Sequence, residues 1–180
     1  GGLKPGDTLL LTKAIGTGTL LAADMRGKAK ARWVMAALAQ MTASNRLAAE
    51  ILRRHGVHAA TDVTGFGLLG HLAEMVRASG VDATLALARV PVLDGARETV
   101  AAGIFSSLQP QNLRLRRAIR NLDTASRHPA FPLLFDPQTA GGLLAALPNA
   151  AARACVAELR AAGYADAAVI GSVAAQSSAE

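Results

Sequence analysis

Short apolar strands and helical stretches follow one another in this chain without a regular strand–helix–strand repeat. That order argues against a parallel sheet, in which every neighbouring pair needs its own crossover. It points to an α+β domain: a small mixed or antiparallel sheet covered by helices. Composition then says what fills the core. Hydrophobic residues are 51% of the chain and aromatics only 3%. The core is therefore expected to be mostly Ala, Leu, Val and Ile, with Ala-rich helices lying close on the sheet. A chain of 180 residues suits a single domain.

Strands are expected at residues 7–12, 57–61, 83–87, 133–135, 143–147 and 168–173. The run Leu9-Leu10-Leu11 marks a buried one. Helices are expected at 20–25, 30–41, 42–55, 68–79, 93–102, 112–121 and 149–162. In the second of these, Trp33, Ala36, Ala37 and Leu38 are the inward candidates; in the third, Leu47, Ile51 and Leu52. Leu68, Leu69, Leu72, Met75 and Val76 make one apolar face of the fourth, and Gly80 ends it. Asn149 is placed to cap the last. One domain is expected over 4–174, with 175–180 a frayed tail. The start, a turn running straight into an apolar strand, reads as a cut between domains.

Three loops offer chemistry. The first is Thr61-Asp62-Val63-Thr64-Gly65-Phe66-Gly67, where a strand ends in an acid and glycines lead into a helix. Gly65 and Gly67 let backbone N–H groups approach an anion, and the helix N-terminus favours phosphate. An ionised Asp62 suits Mg²⁺. An Asx-turn would explain an isolated Asp before Gly, but the whole string is more specific than its parts. The second loop follows Lys13, with Gly16 and Gly18 giving backbone access. It lacks the Gly-Lys-Ser/Thr end of a P-loop, and alone it reads as a plain turn. The third is Asp136-Pro137-Gln138-Thr139-Ala140-Gly141-Gly142, which offers oxygen ligands or hydrogen bonds and reads almost as well as a structural turn.

Other classes find less support. The four histidines show no zinc-ligand spacing, and no Gly-x-Ser-x-Gly elbow is present. The single cysteine, Cys155, sits on an Ala-rich helix pattern and reads as core, which makes a cytoplasmic setting the default. No apolar run reaches the roughly 18 residues of a membrane span. The formal net charge is +6, much of it at Arg114, Arg116, Arg117 and Arg120. No aromatic residue is interleaved there for base stacking, so a solvated helix face is favoured over nucleic-acid binding.

Taken together, the strings Lys4-Pro5-Gly6-Asp7, Leu11-Thr12-Lys13-x-Ile15-Gly16-Thr17-Gly18, Met41-x-x-Ser44-Asn45, the Asp62 string extended through Gly70-His71, and Asp136-Pro137-Gln138-Thr139 resemble the selenophosphate synthetase (selenide, water dikinase) family. The resemblance runs from about Lys4 to Val173 and is to the C-terminal half. It implies the C-terminal fold of the aminoimidazole ribonucleotide synthetase superfamily. It implies a reaction in which ATP, selenide and water give selenophosphate, AMP and phosphate, with Mg²⁺ and ATP as cofactors. Asp62 is then the metal ligand; the residues themselves, a lysine point charge at Lys13 and the turn at Thr64 and Gly65, are read as the phosphate side. The ATP-binding N-terminal half is absent here and becomes the expected partner, in a homodimer when full length; no catalytic residue is assigned to this chain, and the fragment alone is expected to be inactive. Ala140 stands where that family commonly has serine. The competing reading is a non-catalytic module of the same fold that binds an anion or a partner.

Overall fold

The computed structural model describes residues 1–177. Five strands form one antiparallel sheet in the order β2-β4-β1-β5-β3. They are β1 (Asp7–Leu11), β2 (Ala59–Asp62), β3 (Val81–Leu85), β4 (Leu143–Pro148) and β5 (Ala168–Ala175). Between them run α1 (Thr17–Asp24), α2 (Ala31–Thr42), α3 (Arg46–Arg54), α4 (Gly67–Ser79), α5 (Ala96–Ala101), the single turns α6 (Gln109–Asn112) and α7 (Leu122–Ala125), and α8 (Asn149–Ala161).

The Leu9-Leu10-Leu11 run is central because β1 is buried on both faces. Alternation along the strand sends Leu9 and Leu11 into one core with Leu68, Leu72, Phe135 and Ile170. It sends Leu10 into a second core with Ile51, Leu52, Cys155 and Leu159, under α3 and α8. A strand covered on both sides needs an unbroken apolar run, not alternation. Each of these leucines is fully buried, and burial contributes about 2 kcal/mol apiece. In the second core the Tyr164 hydroxyl donates to the Ser44 carbonyl at 2.7 Å and accepts the Ala48 N–H at 3.0 Å. That pair fixes the start of α3 beside the sheet.

Several expectations are corrected. Residues 112–121 do not form a helix: a 3₁₀ stretch, Leu113–Ala118, follows α6, and Ile119 is extended. Leu115 and Ile119 are the residues there that pack on the core, too narrow a stripe to hold a longer helix. Residues 133–135 are no strand but part of a 3₁₀ turn, Phe131–Phe135, in which Phe131, Leu133, Leu134 and Phe135 are buried. A short apolar run of that kind carries no period from which its backbone can be read. Ala36, Leu38 and Leu47 face solvent; α2 buries only Trp33 and Ala37, with the Trp33 ring packed against Gly95. Asn149 does not cap α8; its side-chain oxygen accepts the Thr8 hydroxyl instead. The last strand runs on to Ala175, and the Ser177 N–H donates to Asp82 at 2.9 Å. Residues 178–180 of the expected tail lie outside the described residues.

Candidate functional site

Antiparallel pairing brings the ends of β1 and β2 beside the start of β4. Asp62 pairs with Leu143 and Leu11 with Leu144, so the two strand ends lie two strand spacings apart, about 10 Å. Three of the loops that carried the sequence motifs meet at this end of the sheet.

The first is the corner from Asp62 to Gly67, pinned by backbone bonds at Val63, Thr64, Gly65 and Gly67. The Val63 N–H donates to the Gly142 carbonyl at 2.9 Å. The Thr64 carbonyl accepts from Gly67 and Gln138, both at 3.0 Å. The Gly65 carbonyl accepts from the Asn112 carboxamide at 2.8 Å. Buried His71, one turn into α4, places Nε2 at 3.1 Å from the Thr64 amide nitrogen. Gly67 closes the corner at φ 70°, and a Cβ there would meet the Leu134 carbonyl oxygen at 2.8 Å. Both restrictions require glycine.

What this scaffold leaves free is specific. Asp62 is exposed, and its carboxylate takes no hydrogen bond within the described residues. The N–H groups of Gly65 and Phe66 are likewise without a partner among the described residues. An added Cβ at Gly65 would project into open space. One acid and two free amides at the head of α4 make a corner suited to an anion that carries a cation with it.

The second element is the turn after Asp136. Asp136 is wholly buried, and its Oδ2 accepts from the Gly18 N–H at 3.1 Å and from Gln138 Nε2 at 2.9 Å. Its Oδ1 has no partner. Burial pushes this carboxyl up to about 7, against the opposing pull of its hydrogen bonds. Gln138 Oε1 accepts the Gly16 N–H at 2.9 Å and the Thr17 N–H at 3.2 Å. The Thr139 N–H returns a bond to the Thr17 hydroxyl at 3.0 Å. This turn is a clasp that sews the loop after β1 to the lead into β4.

Lys13 lies behind the corner. It is 4% exposed, and its ammonium donates to the carbonyls of Ala43 at 2.6 Å and Ala140 at 3.2 Å. Desolvation holds its pKa below the usual lysine value. Ala140 sits at φ 46°, an uncommon conformation for a residue with a Cβ. Asn45 donates to the neighbouring Gly141 carbonyl at 2.8 Å. Lys13, Ala43, Asn45 and Ala140-Gly141 thus form a strut under the corner.

The structure therefore gathers Asp62, Thr64 and Gly65 in one place and sets Lys13 inward. Sequence reading gave no role to His71 or Asn112. His71 ends the string that opens at Asp62, which is the signal that it belongs with the corner; Asn112 carried none. Among the described residues, no group of three or more His, Cys, Asp or Glu stands together as a metal cluster. No described helix is long and apolar enough to cross a membrane.

Residues 4–180 match the family model described as AIR synthase related protein, C-terminal domain. The chain belongs to that family. AIR synthase related relatives include the selenide, water dikinase of Pelobacter propionicus, 42% identical over 171 residues. That match covers 95% of this chain and 49% of the relative. The Paraburkholderia xenovorans selenide, water dikinase is 39% identical and covered to 48% over 94% of this chain. The chain thus spans about half the length of these curated relatives. Among solved structures, the hydrogenase maturation protein HypE superposes with a TM-score of 0.71 at 23% identity, covering 97% of this chain and 46% of that one. A thiamine monophosphate kinase from Aquifex aeolicus gives 0.57 at 16% identity, over 96% of this chain and 49% of that one. These likenesses show the shared α+β fold.

Proposed function

We propose that this chain is the C-terminal half of an ATP-dependent selenophosphate synthetase, and that the Asp62 corner is one wall of its Mg²⁺–ATP site. The observation that carries the reading is the contrast inside the corner. The Val63 N–H, both Thr64 backbone groups, the Gly65 carbonyl and the Gly67 N–H are committed to holding shape, while the Asp62 carboxylate and the Gly65 and Phe66 N–H groups are left for a ligand. The named relatives supply the reaction class. Solved neighbours include a HypE in complex with ATP and a thiamine monophosphate kinase complexed with AMPPCP.

Asp62 would hold Mg²⁺. The donor set fits a shared site, because Mg²⁺ takes one or two carboxylates and completes its shell with phosphate and water oxygens. Bound there, the ion neutralises phosphate charge. The chain's own contribution is to bind and orient. The Gly65 and Phe66 N–H groups, at the α4 N-terminus, donate to phosphate oxygens, and Thr64 holds the turn in place, its hydroxyl 3.1 Å from His71 Nε2. Lys13 acts through the strut, keeping the Ala140-Gly141 segment under the corner, and touches no phosphate. The N-terminal half supplies the rest of the site. The full-length protein is then a cytoplasmic homodimer.

Selenide-dependent AMP formation tests this reading. The full-length protein is expected to form AMP only with both selenide and Mg²⁺ present, and the 180-residue chain alone to form none. Robust AMP production by the chain alone would overturn the two-wall site. Mg²⁺–ATP binding by the full-length protein without selenide-dependent turnover would instead make it a non-catalytic anion-binding module.

A further inference from the structure

We propose that His71 is a positioning residue that decides which amide N–H groups of the Asp62 corner are offered to a phosphate. The inference rests on the proposed function for the identity of the anion, but not for the geometry.

The turn carries three successive amides, at Thr64, Gly65 and Phe66. Left free, such a run makes a concave nest that closes around an anion. His71 withdraws the first. Its Nε2 stands 3.1 Å from the Thr64 nitrogen and 3.1 Å from the Thr64 hydroxyl oxygen. A backbone amide can only donate, so Nε2 must be the unprotonated ring nitrogen and the proton sits on Nδ1. Nδ1 lies on the side of the Glu74 carboxylate, at 3.8 Å. The Phe66 ring lies over the imidazole, centroid to centroid 5.5 Å.

The consequence is directional. The Thr64 carbonyl is already held by two N–H donors. With its N–H held as well, Thr64 is fixed at both ends. The Val63–Thr64 peptide cannot turn its amide toward the ligand, and the two free donors stay at Gly65 and Phe66, beside Asp62. Without an acceptor at the Nε2 position, the half-buried Thr64 amide loses its partner and is free to turn toward the anion corner. The donors would then be shared out along the turn and lose their register with the carboxylate.

The test uses the full-length protein with His71→Gln, which can place a carbonyl oxygen near the Nε2 position, and His71→Leu, which cannot. His71→Leu is expected to raise KM for Mg²⁺–ATP about tenfold with kcat little changed, the signature of lost binding common to ground and transition states. His71→Gln is expected to stay within about threefold of wild type. Equal KM shifts in the two variants, or none in either, would overturn the proposal. Nitrogen NMR of the wild-type imidazole gives an answer independent of catalysis and of variant folding. A proton on Nδ1 supports the assignment, and a proton on Nε2 refutes it. Absence of any ATP turnover in the wild-type protein would count against the proposed function, while the tautomer still decides whether His71 holds the Thr64 amide.

Discussion

Asp62 and Asp136 stand at the same end of one sheet, each at the head of a glycine-containing turn, and they do opposite things. Asp136 is wholly buried, receives N–H groups from Gly18 and Gln138, and is held half-neutral near pH 7 by burial. Asp62 is exposed, with no hydrogen bond to its carboxylate within the described residues. The same side chain serves as a seam in one turn and as an open hand in the other. What separates them is burial and donors within the chain: Asp136 is wholly buried with Oδ2 held twice, and the Asp62 carboxylate is exposed and held by none of the described residues. A buried acid that meets its donors within the chain has little left for a ligand; an exposed acid beside unclaimed amides does.

The comparison breaks most readily at Asp136. Asp136→Ala leaves at least two buried donors without an acceptor, a loss of about 3 kcal/mol, or roughly 6–12 °C in Tm. Thermal or urea unfolding measures it. A loss under about 0.5 kcal/mol would mean that the clasp is not structural. Asp62→Asn, by contrast, should leave stability within about 0.5 kcal/mol of wild type.

A second expected effect is in pH. The folded-state pKa of Asp136, about 7, lies above the carboxyl's unfolded value, so the folded protein binds the extra proton. That contribution to stability is complete below about pH 4 and is lost as pH rises toward 7, at up to about 1.4 kcal/mol per unit. The stability difference between wild type and Asp136→Asn should therefore shift in favour of Asn across this range and level off above it. A difference that is flat between pH 4 and 7 would remove the burial argument.

A smaller effect than at Asp136 is expected at Lys13. Lys13→Met keeps the stem's packing and frees two carbonyls, while relieving the cost of a desolvated ammonium, for a net loss of about 1–2 kcal/mol. Stability at the wild-type level together with a large fall in ATP affinity would return Lys13 to the phosphate side and revise the strut.

How far the sequence could be read follows the same division. The fold class was legible because Leu9-Leu10-Leu11 and the α4 face Leu68, Leu69, Leu72 and Met75 carry strong patterns. Boundaries failed where the structure is held by contacts distant in sequence. Asn112 bonds to Gly65 and Phe135, and no local period announces that. The burial of Lys13 escaped for the same reason, since its acceptors are Ala43 and Ala140. At the candidate site, the strings marked three segments that the fold brings to one end of the sheet, and chemistry singled out Asp62 as the proposed ligand. Only the three-dimensional hydrogen-bond pattern separates the open acid from the sewn one and brings His71 into the corner.

The most direct test is a Mg²⁺ titration of ATP turnover in the full-length protein, comparing wild type, Asp62→Asn and Asp136→Asn. The account predicts that Asp62→Asn raises the half-saturating Mg²⁺ concentration about tenfold or more, while folded Asp136→Asn titrates like wild type. An unchanged Mg²⁺ requirement in Asp62→Asn, or a shift confined to Asp136→Asn, would contradict it.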